Sequence, residues 1–69
     1  MTEYGVIYEQ AGDGSWSASA VDLPVFAVGD TKEEAEREIR SAIAFHLEFL
    51  ADQGEHPPKP ASSVGTVTV

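Results

Sequence analysis

Apolar and polar side chains alternate along the first part of the chain, a pattern typical of strands with one buried face. In residues 3–9 the residues on one face are Tyr4, Val6 and Tyr8. In residues 15–21 one face carries Trp16, Ala18 and Ala20, and the other carries Ser15, Ser17 and Ser19. Residues 11–14 between them, Ala-Gly-Asp-Gly, tolerate positive φ and predict a hairpin turn.

A corner and a helix start follow. Leu23-Pro24 ends the second strand, because proline has no amide hydrogen to donate to a ladder. A short third strand is predicted over Val25–Val28, and Gly29-Asp30 breaks it. Thr31 with Glu34 three residues later predicts a capping box at the start of a helix.

The helix is predicted over Lys32–Gln53, with Gly54 as its C-terminal cap. Its apolar side chains recur at helical spacing, so one stripe should cover the dry face of the sheet. The stripe consists of Ala35, Ile39, Ala42, Ile43, His46, Phe49 and Leu50. Phe45 and Leu47 lie on its two flanks and extend the apolar surface beyond what one small sheet needs.

Three prolines stiffen the connector Gly54–Pro60, and Ser62–Val69 alternates again, which predicts a fourth strand. The predicted fold is a single α+β domain over residues 1–69, with the order β-β-β-α-β. It has an antiparallel three-stranded sheet, a C-terminal fourth strand and one long helix on one face. The edges of so small a sheet invite pairing with a second copy or another partner, and the uncharged sequence Thr-Val-Thr-Val does nothing to discourage it.

Charge and composition narrow the possible partners. The chain has 69 residues, no cysteine, and twelve acidic against four basic residues, for a net charge of −8. A disulfide framework and a cysteine-type zinc site are excluded, and self-association is the remaining means of stabilising so small a domain. An acidic surface disfavours direct binding to nucleic acid and favours a basic protein, although the same charge also keeps a small protein soluble. The N-terminus lacks a secretory pattern and no apolar run is long enough to span a membrane, so the expected location is the cytoplasm.

Candidate catalytic groups have structural explanations. Asp22, Asp30, Glu33 and Glu34 cluster near a strand end and a helix start, where carboxylates can bind Mg²⁺ in a small hydrolase. Turns, caps and the helix dipole use the same residues, and no metal-ligand spacing is recognisable. His46 is either a general base or a packed ring, and the ring is favoured because no nucleophile faces the same way on the neighbouring turns. We therefore expect no catalytic residue, cofactor or metal.

The succession of motifs resembles the HicB family of antitoxins over residues 4 to about 60. Its distinctive part is the Leu-Pro corner followed by Gly-Asp-Thr and an acidic Glu-Ala helix start. The residues that carry the resemblance are Tyr4, Val6, Asp13-Gly14, Trp16, Ala18, Asp22-Leu23-Pro24, Gly29-Asp30-Thr31, Glu34-Ala35, Ile39, Ala42-Ile43, Gly54, Pro57, Pro58 and Pro60. The resemblance implies a partial RNase H-like fold without catalysis, homodimers or higher assemblies, and neutralisation of a small basic mRNA-cleaving toxin of the HicA type.

The chain departs from the family pattern at the corner. Val21 replaces the first corner proline, Val25 the usual glycine, and Phe26 a small residue or cysteine. Many members continue into a DNA-binding domain that this chain lacks, so we do not expect it to bind operator DNA. The apolar corner and the helix flanks are the predicted partner-binding residues, namely Asp22, Val25, Phe26, Phe45 and Leu47. The alternative is a stand-alone oligomeric domain that binds another ligand or protein and has no toxin partner.

Overall fold

The computed structural model describes residues 2–69, in which three strands precede one helix. The elements are β1 (Val6–Gln10), β2 (Trp16–Ala20), β3 (Phe26–Gly29) and α1 (Lys32–Asp52). The strands form one antiparallel sheet in the order β1-β2-β3, and α1 packs against β3 and β2. The predicted α+β class, the three strands and the long helix are confirmed.

Short-range hydrogen bonds build the hairpin between β1 and β2. The Ala11 amide donates to the Ser15 carbonyl (2.8 Å), and the Gly14 amide donates to the Ala11 carbonyl (3.0 Å). Gly14 adopts φ +92°, a conformation that side chains disfavour. The Asp13 carboxylate accepts the Ser15 amide (3.0 Å) and hydroxyl (2.6 Å), so the predicted turn is closed by its own side chains.

The corner between β2 and β3 is a tight turn around Pro24. The Val25 amide donates to the Leu23 carbonyl (2.9 Å), and the Ala20 amide donates to the Val25 carbonyl (2.9 Å). An i→i+2 bond of this kind suits the fixed φ of proline at the central position. Leu23 is buried and anchors the corner, while Pro24 is exposed.

Both ends of α1 have the caps that the sequence predicts. Thr31 is the N-cap, and its hydroxyl accepts the Glu34 amide at 3.1 Å. Within residues 2–69 the Glu34 carboxylate makes no hydrogen bond in return, so only half of the predicted capping box forms. At the C-terminus Gly54 has φ +74°, and the amides of Gly54 and Glu55 donate to the carbonyls of Ala51 and Leu50. This pair of bonds is a Schellman motif.

The core is small and lies between the sheet and the first half of α1. Ala18, Ala35 and Ile39 are buried, and the apolar side chains packed around them are Val6, Tyr8, Trp16, Val25, Ala27 and Ile43. A helix of 21 residues is about 31 Å long, whereas a five-residue strand spans only about 17 Å. The second half of α1 therefore extends beyond the sheet. Phe49, predicted to lie in the buried stripe, is 50% exposed.

The predicted fourth strand is wrong for this structure, because residues 61–69 form no strand and are exposed. The Asp22 carboxylate accepts the amides of Ala61 (3.2 Å) and Ser62 (3.3 Å) and the Ser62 hydroxyl (2.9 Å). These side-chain bonds hold the start of the segment at the Leu-Pro corner. They take the place of the backbone hydrogen bonds that a fourth strand would make to the sheet. Beyond Ser62 the segment is exposed and pairs with no strand of the described chain, so β1 remains an edge of the sheet.

Candidate protein-interaction surface

One face of the sheet is turned away from α1 and carries exposed apolar side chains. The strand register places Ile7, Ser19 and Phe26 side by side in one row across this face, and the next row contains Ser17 and Val28. Ile7 is 44% exposed, Phe26 74% and Val28 63%. We call this surface the outer sheet face. Serines lie at its centre, the β3 margin is apolar, and the β1 margin carries Ile7 and the exposed Glu9, which pairs with Ser17.

A second apolar surface lies on the protruding half of α1. Phe45 and Phe49 are one helical turn apart, and Phe45 is 73% exposed. Glu34 and Phe45 are eleven residues apart and therefore differ by only about 20° around the helix axis. An added Cβ at Gly29 in β3 would lie 2.9 Å from the Glu34 Cβ, so at the helix start this side of α1 faces the end of β3. We call Phe45 and Phe49 the helix flank.

The five predicted partner-binding residues do not form one surface. Phe26 and Phe45 are both exposed, but Phe26 lies in β3 and Phe45 lies on the half of α1 that extends beyond the sheet. Leu47 is half-buried, and its position about 160° around the helix from Phe45 puts it on the opposite side. Val25 packs against the core, and Asp22 is engaged by the segment at 61–62.

Sequence reasoning missed Ile7, Val28 and Phe49 as parts of the exposed surface. The alternation already placed Ile7 opposite Tyr8, and Val28 shares the parity of Phe26. The exposure of Ile7 and Val28 could therefore have been predicted from the alternating pattern, since both residues fall on the face of the sheet that is turned toward solvent. The exposure of Phe49 depends on where the sheet ends under the helix, which no local pattern reports.

A groove runs between β1 and α1, because the helix covers β2 and β3. Its volume is about 640 Å³. The residues that line it are Thr2, Glu3, Tyr4, Val6, Tyr8, Glu36, Ile39, Arg40 and Ile43. We call it the β1 groove; its floor is aromatic and aliphatic, and its helical rim is charged.

Charges near the groove are locally balanced. Arg40 and Glu36 form an ion pair of 2.8 Å, and the Lys32 ammonium lies 5.2 Å from the centroid of the Tyr8 ring. Burial raises the pKa of the Tyr8 hydroxyl above its ordinary value of 10.0; the Glu36 carboxylate adds to the rise and Arg40 opposes it. The ion pair is exposed, so it adds little to stability. Two of the four basic residues are thus engaged locally, and the wider surface stays acidic.

The acidic residues singled out as possible ligands lie in turns and caps. Asp22 binds the segment at 61–62, and Glu34 lies in the first turn of α1 behind the Thr31 cap. Among residues 2–69 no group of three or more His, Asp or Glu side chains is arranged to hold a metal ion. His46 is half-buried on α1. In the same residues, α1 lacks the length of apolar sequence that a membrane-spanning helix requires.

Fold and surface together define a small acidic α+β domain that exposes aromatic side chains on β3 and on the second half of its helix. Residues 4–68 match the HicB_like antitoxins of bacterial toxin-antitoxin systems. The chain belongs to this family, as the motifs around the Leu-Pro corner predicted.

One relative is an uncharacterized 14.9 kDa protein in the rep-hol intergenic region of Haemophilus phage HP1. The two chains are 37% identical over 57 residues, which cover 81% of this chain and 42% of the phage protein. The chain thus spans less than half the length of this relative. No solved structure matches the chain.

Proposed function

We propose that this chain is a non-enzymatic antitoxin domain that binds and neutralises a small basic mRNA-cleaving toxin of the HicA type. The observation that carries the proposal is the family match over residues 4–68, which includes the whole sheet and the whole helix. Membership of this family implies a role in a toxin-antitoxin system. We add two steps to this role. The toxin is of the HicA type, and the chain neutralises it by binding without catalysis.

Net charge supports a basic partner. At −8 over 69 residues the surface repels phosphate backbones and attracts cationic proteins. Complementary charge mainly raises the association rate and selects the partner, while buried apolar contacts supply most of the affinity. A toxin that binds mRNA needs a cationic surface, and an acidic antitoxin competes for that surface directly.

The contact is proposed at the β3 edge, between the outer sheet face and the helix flank. Phe26 on β3 and Phe45 on the helix flank are the two most exposed aromatic side chains among the described residues. The exposed acids on the same side of α1 are Glu38, Glu48 and Asp52. Two aromatic anchors framed by carboxylates match the usual anatomy of an interface, an apolar centre with a polar rim. In this proposal Asp22 and Val25 do not contact the toxin; they stabilise the corner that positions Phe26.

We also propose that the domain has the partial RNase H-like fold, works in the cytoplasm and assembles as a homodimer or higher oligomer. The order of three antiparallel strands and one helix agrees with the first part of that fold. The exposed apolar side chains on two faces and the absence of cysteine support self-association.

The test measures inhibition of RNA cleavage by a purified basic HicA-type toxin in the presence of the chain. Wild type should inhibit at a stoichiometric ratio, and added salt should slow association. Phe26→Ala should weaken inhibition by about tenfold or more, since truncating a central anchor typically costs over 1 kcal/mol. Ile7→Ala is the matched control, because Ile7 lies in the same row at the opposite edge of the sheet.

Two outcomes would contradict the proposal. If wild type leaves RNA cleavage unchanged and forms no complex with the toxin, the antitoxin role is wrong, and a stand-alone oligomeric domain becomes the better description. If Ile7→Ala and Phe26→Ala weaken inhibition equally, the toxin does not bind at the β3 edge. Circular dichroism of each variant confirms that the change lies in binding and not in folding.

A further inference from the structure

The free edge of β1 offers unpaired backbone groups. The Val21 amide donates to the Gly5 carbonyl, which makes Gly5 and Val21 a hydrogen-bonded pair in the antiparallel ladder. Such pairs alternate along the strand, so Ile7 and Glu9 also bond to β2. The N–H and C=O groups that point away from β2 therefore belong to Val6, Tyr8 and Gln10. Among residues 2–69 no other strand pairs with this edge.

The β1 groove lies beside the same edge. The side chains of Val6 and Tyr8 face the helix side of the sheet and line the groove together with Ile39 and Ile43. A strand added to β1 would extend the floor of the groove and place every second side chain inside it. The edge and the groove are thus two parts of one site for an extended segment with alternating side chains.

Residues 63–69 have the properties of such a segment. One parity carries Gly65, Val67 and Val69, while the other carries Val64, Thr66 and Thr68. The segment has no charged side chain, and Val67 is 87% exposed. Within the described residues, no hydrogen bond joins it to the rest of the chain.

The start of the segment is fixed next to the site. The Tyr4 hydroxyl donates to the Pro58 carbonyl (2.9 Å), and the Asp22 carboxylate holds Ser62. An added Cβ at Gly5 would lie 3.7 Å from the Ser62 carbonyl oxygen. The start of the segment therefore lies beside Gly5, just before β1. Residues 63–69 are exposed and none of them lines the groove of its own chain, so the segment is available to another molecule.

We infer that residues 63–69 pair with the β1 edge of a second copy of this chain, in a reciprocal strand exchange. Val67 and Val69 enter the partner's β1 groove, and Thr66 and Thr68 face solvent as Ser17 and Ser19 do. Seven extended residues reach about 23 Å, enough to cover a strand of about 17 Å. The segment also adds no charged side chain to a partner whose net charge is −8.

This inference rests on the self-association proposed above and does not depend on the toxin. Exchange would bury the two features of the free chain that favour aggregation, namely its unpaired β1 edge and its exposed β-prone segment. It would also supply the fourth strand of the sheet from another molecule. Toxin binding at the β3 edge uses the opposite side of the sheet, so both contacts fit on one copy.

The first experiment compares Val67→Asn with Thr66→Asn by sedimentation equilibrium on the full chain. The two variants place the same polar side chain on adjacent residues of an exposed segment, so neither should disturb folding of the monomer. Val67→Asn should raise the dimer dissociation constant by about tenfold or more, because it removes a buried valine from the groove. Thr66→Asn should leave the dissociation constant within about threefold of wild type, as expected for a solvent-facing position.

The second experiment measures amide hydrogen exchange of β1 by NMR at low and high protein concentration. In the exchanged dimer the Val6, Tyr8 and Gln10 amides should become protected as concentration rises, while the Ile7 and Glu9 amides, already bonded to β2, should change little. A wild type that remains monomeric at NMR concentrations overturns the inference. So does a dimer that Val67→Asn leaves intact, or one in which the three edge amides stay unprotected at every concentration. A dimer whose edge amides stay unprotected would support self-association but contradict strand exchange. Inhibition of the toxin is measured separately and tests the proposed function.

Discussion

Replacing Gly29 with alanine should destabilise the domain although Gly29 occupies an ordinary strand conformation. Gly29 ends β3, and α1 begins three residues later. An added Cβ would lie 2.6 Å from the Ala35 backbone nitrogen and 2.9 Å from the Glu34 Cβ. Both atoms belong to the first turns of the helix, so relief requires the helix to move away from the strand. Gly29 is thus needed for close packing of the sheet end against the helix start.

The expected magnitude follows from two opposing terms. Overpacking in a site that must shift backbone costs about 1–3 kcal/mol. Replacing glycine with alanine also restricts the unfolded chain, which stabilises the folded state by about 0.4–1 kcal/mol at a permissive site. We expect steric cost to dominate, with a net loss near 1–2 kcal/mol. In a domain of this size a loss of about 1–2 kcal/mol lowers Tm by roughly 4–16 °C.

Gly12→Ala is the matched control, because nothing lies within 4 Å of its added Cβ and its φ is not positive. Thermal unfolding is followed by far-ultraviolet circular dichroism and by the fluorescence of Trp16, the single tryptophan. Gly12→Ala should match or slightly exceed the wild-type Tm. If Gly29→Ala unfolds at the same temperature as Gly12→Ala, the helix start is not held against β3 as described, and the packing argument is refuted.

Three further changes test other parts of the structure. Thr31→Ala removes the N-cap hydroxyl and should lower the free energy of unfolding by about 1 kcal/mol in urea titrations, with the m-value unchanged. Hydrogen bonds from Ser15 hold the pKa of Asp13 below its ordinary value of 3.8, so this carboxylate favours the folded state above that pH and ceases to do so as pH falls through its lowered pKa. Ser15→Ala should bring the Asp13 pKa back toward 3.8 in an NMR titration; an unchanged pKa would contradict the assigned bonds. Glu36→Gln should lower the pKa of Tyr8 in an ultraviolet titration and leave part of the rise in place, since burial is the larger cause.

Local signals in the sequence account for most of the fold. The hairpin, the Pro24 corner and the two helix caps each form from residues within a few positions of one another. Thr31 caps the helix through an amide three residues away, and Gly54 ends it with bonds back to Ala51 and Leu50. The geometry of such motifs can be predicted from the local sequence, because their hydrogen bonds join residues within the motif itself.

Features that depend on distant parts of the chain could not be predicted in the same way. Alternation in residues 62–69 predicts a strand, yet a strand needs a partner edge, and side-chain bonds to Asp22 direct the segment elsewhere. Val25 and Phe26 looked equally available at the apolar corner. The bond between the Ala20 amide and the Val25 carbonyl fixes the register and sends Val25 to the core and Phe26 to the surface.

The surface and the stability of this domain are linked. Among residues 2–69 only Ala18, Leu23, Ala35 and Ile39 are buried apolar residues, whereas Phe26, Phe45 and Val67 are each more than 70% exposed. A domain of 69 residues buries little apolar surface and is only marginally stable. The apolar side chains that it leaves exposed are available for burial against a partner. Any partner that binds only the folded form stabilises it by mass action. The proposed binding at the β3 edge and the proposed pairing at the β1 edge would therefore both favour the folded state, and the free monomer would be the form most exposed to unfolding and proteolysis.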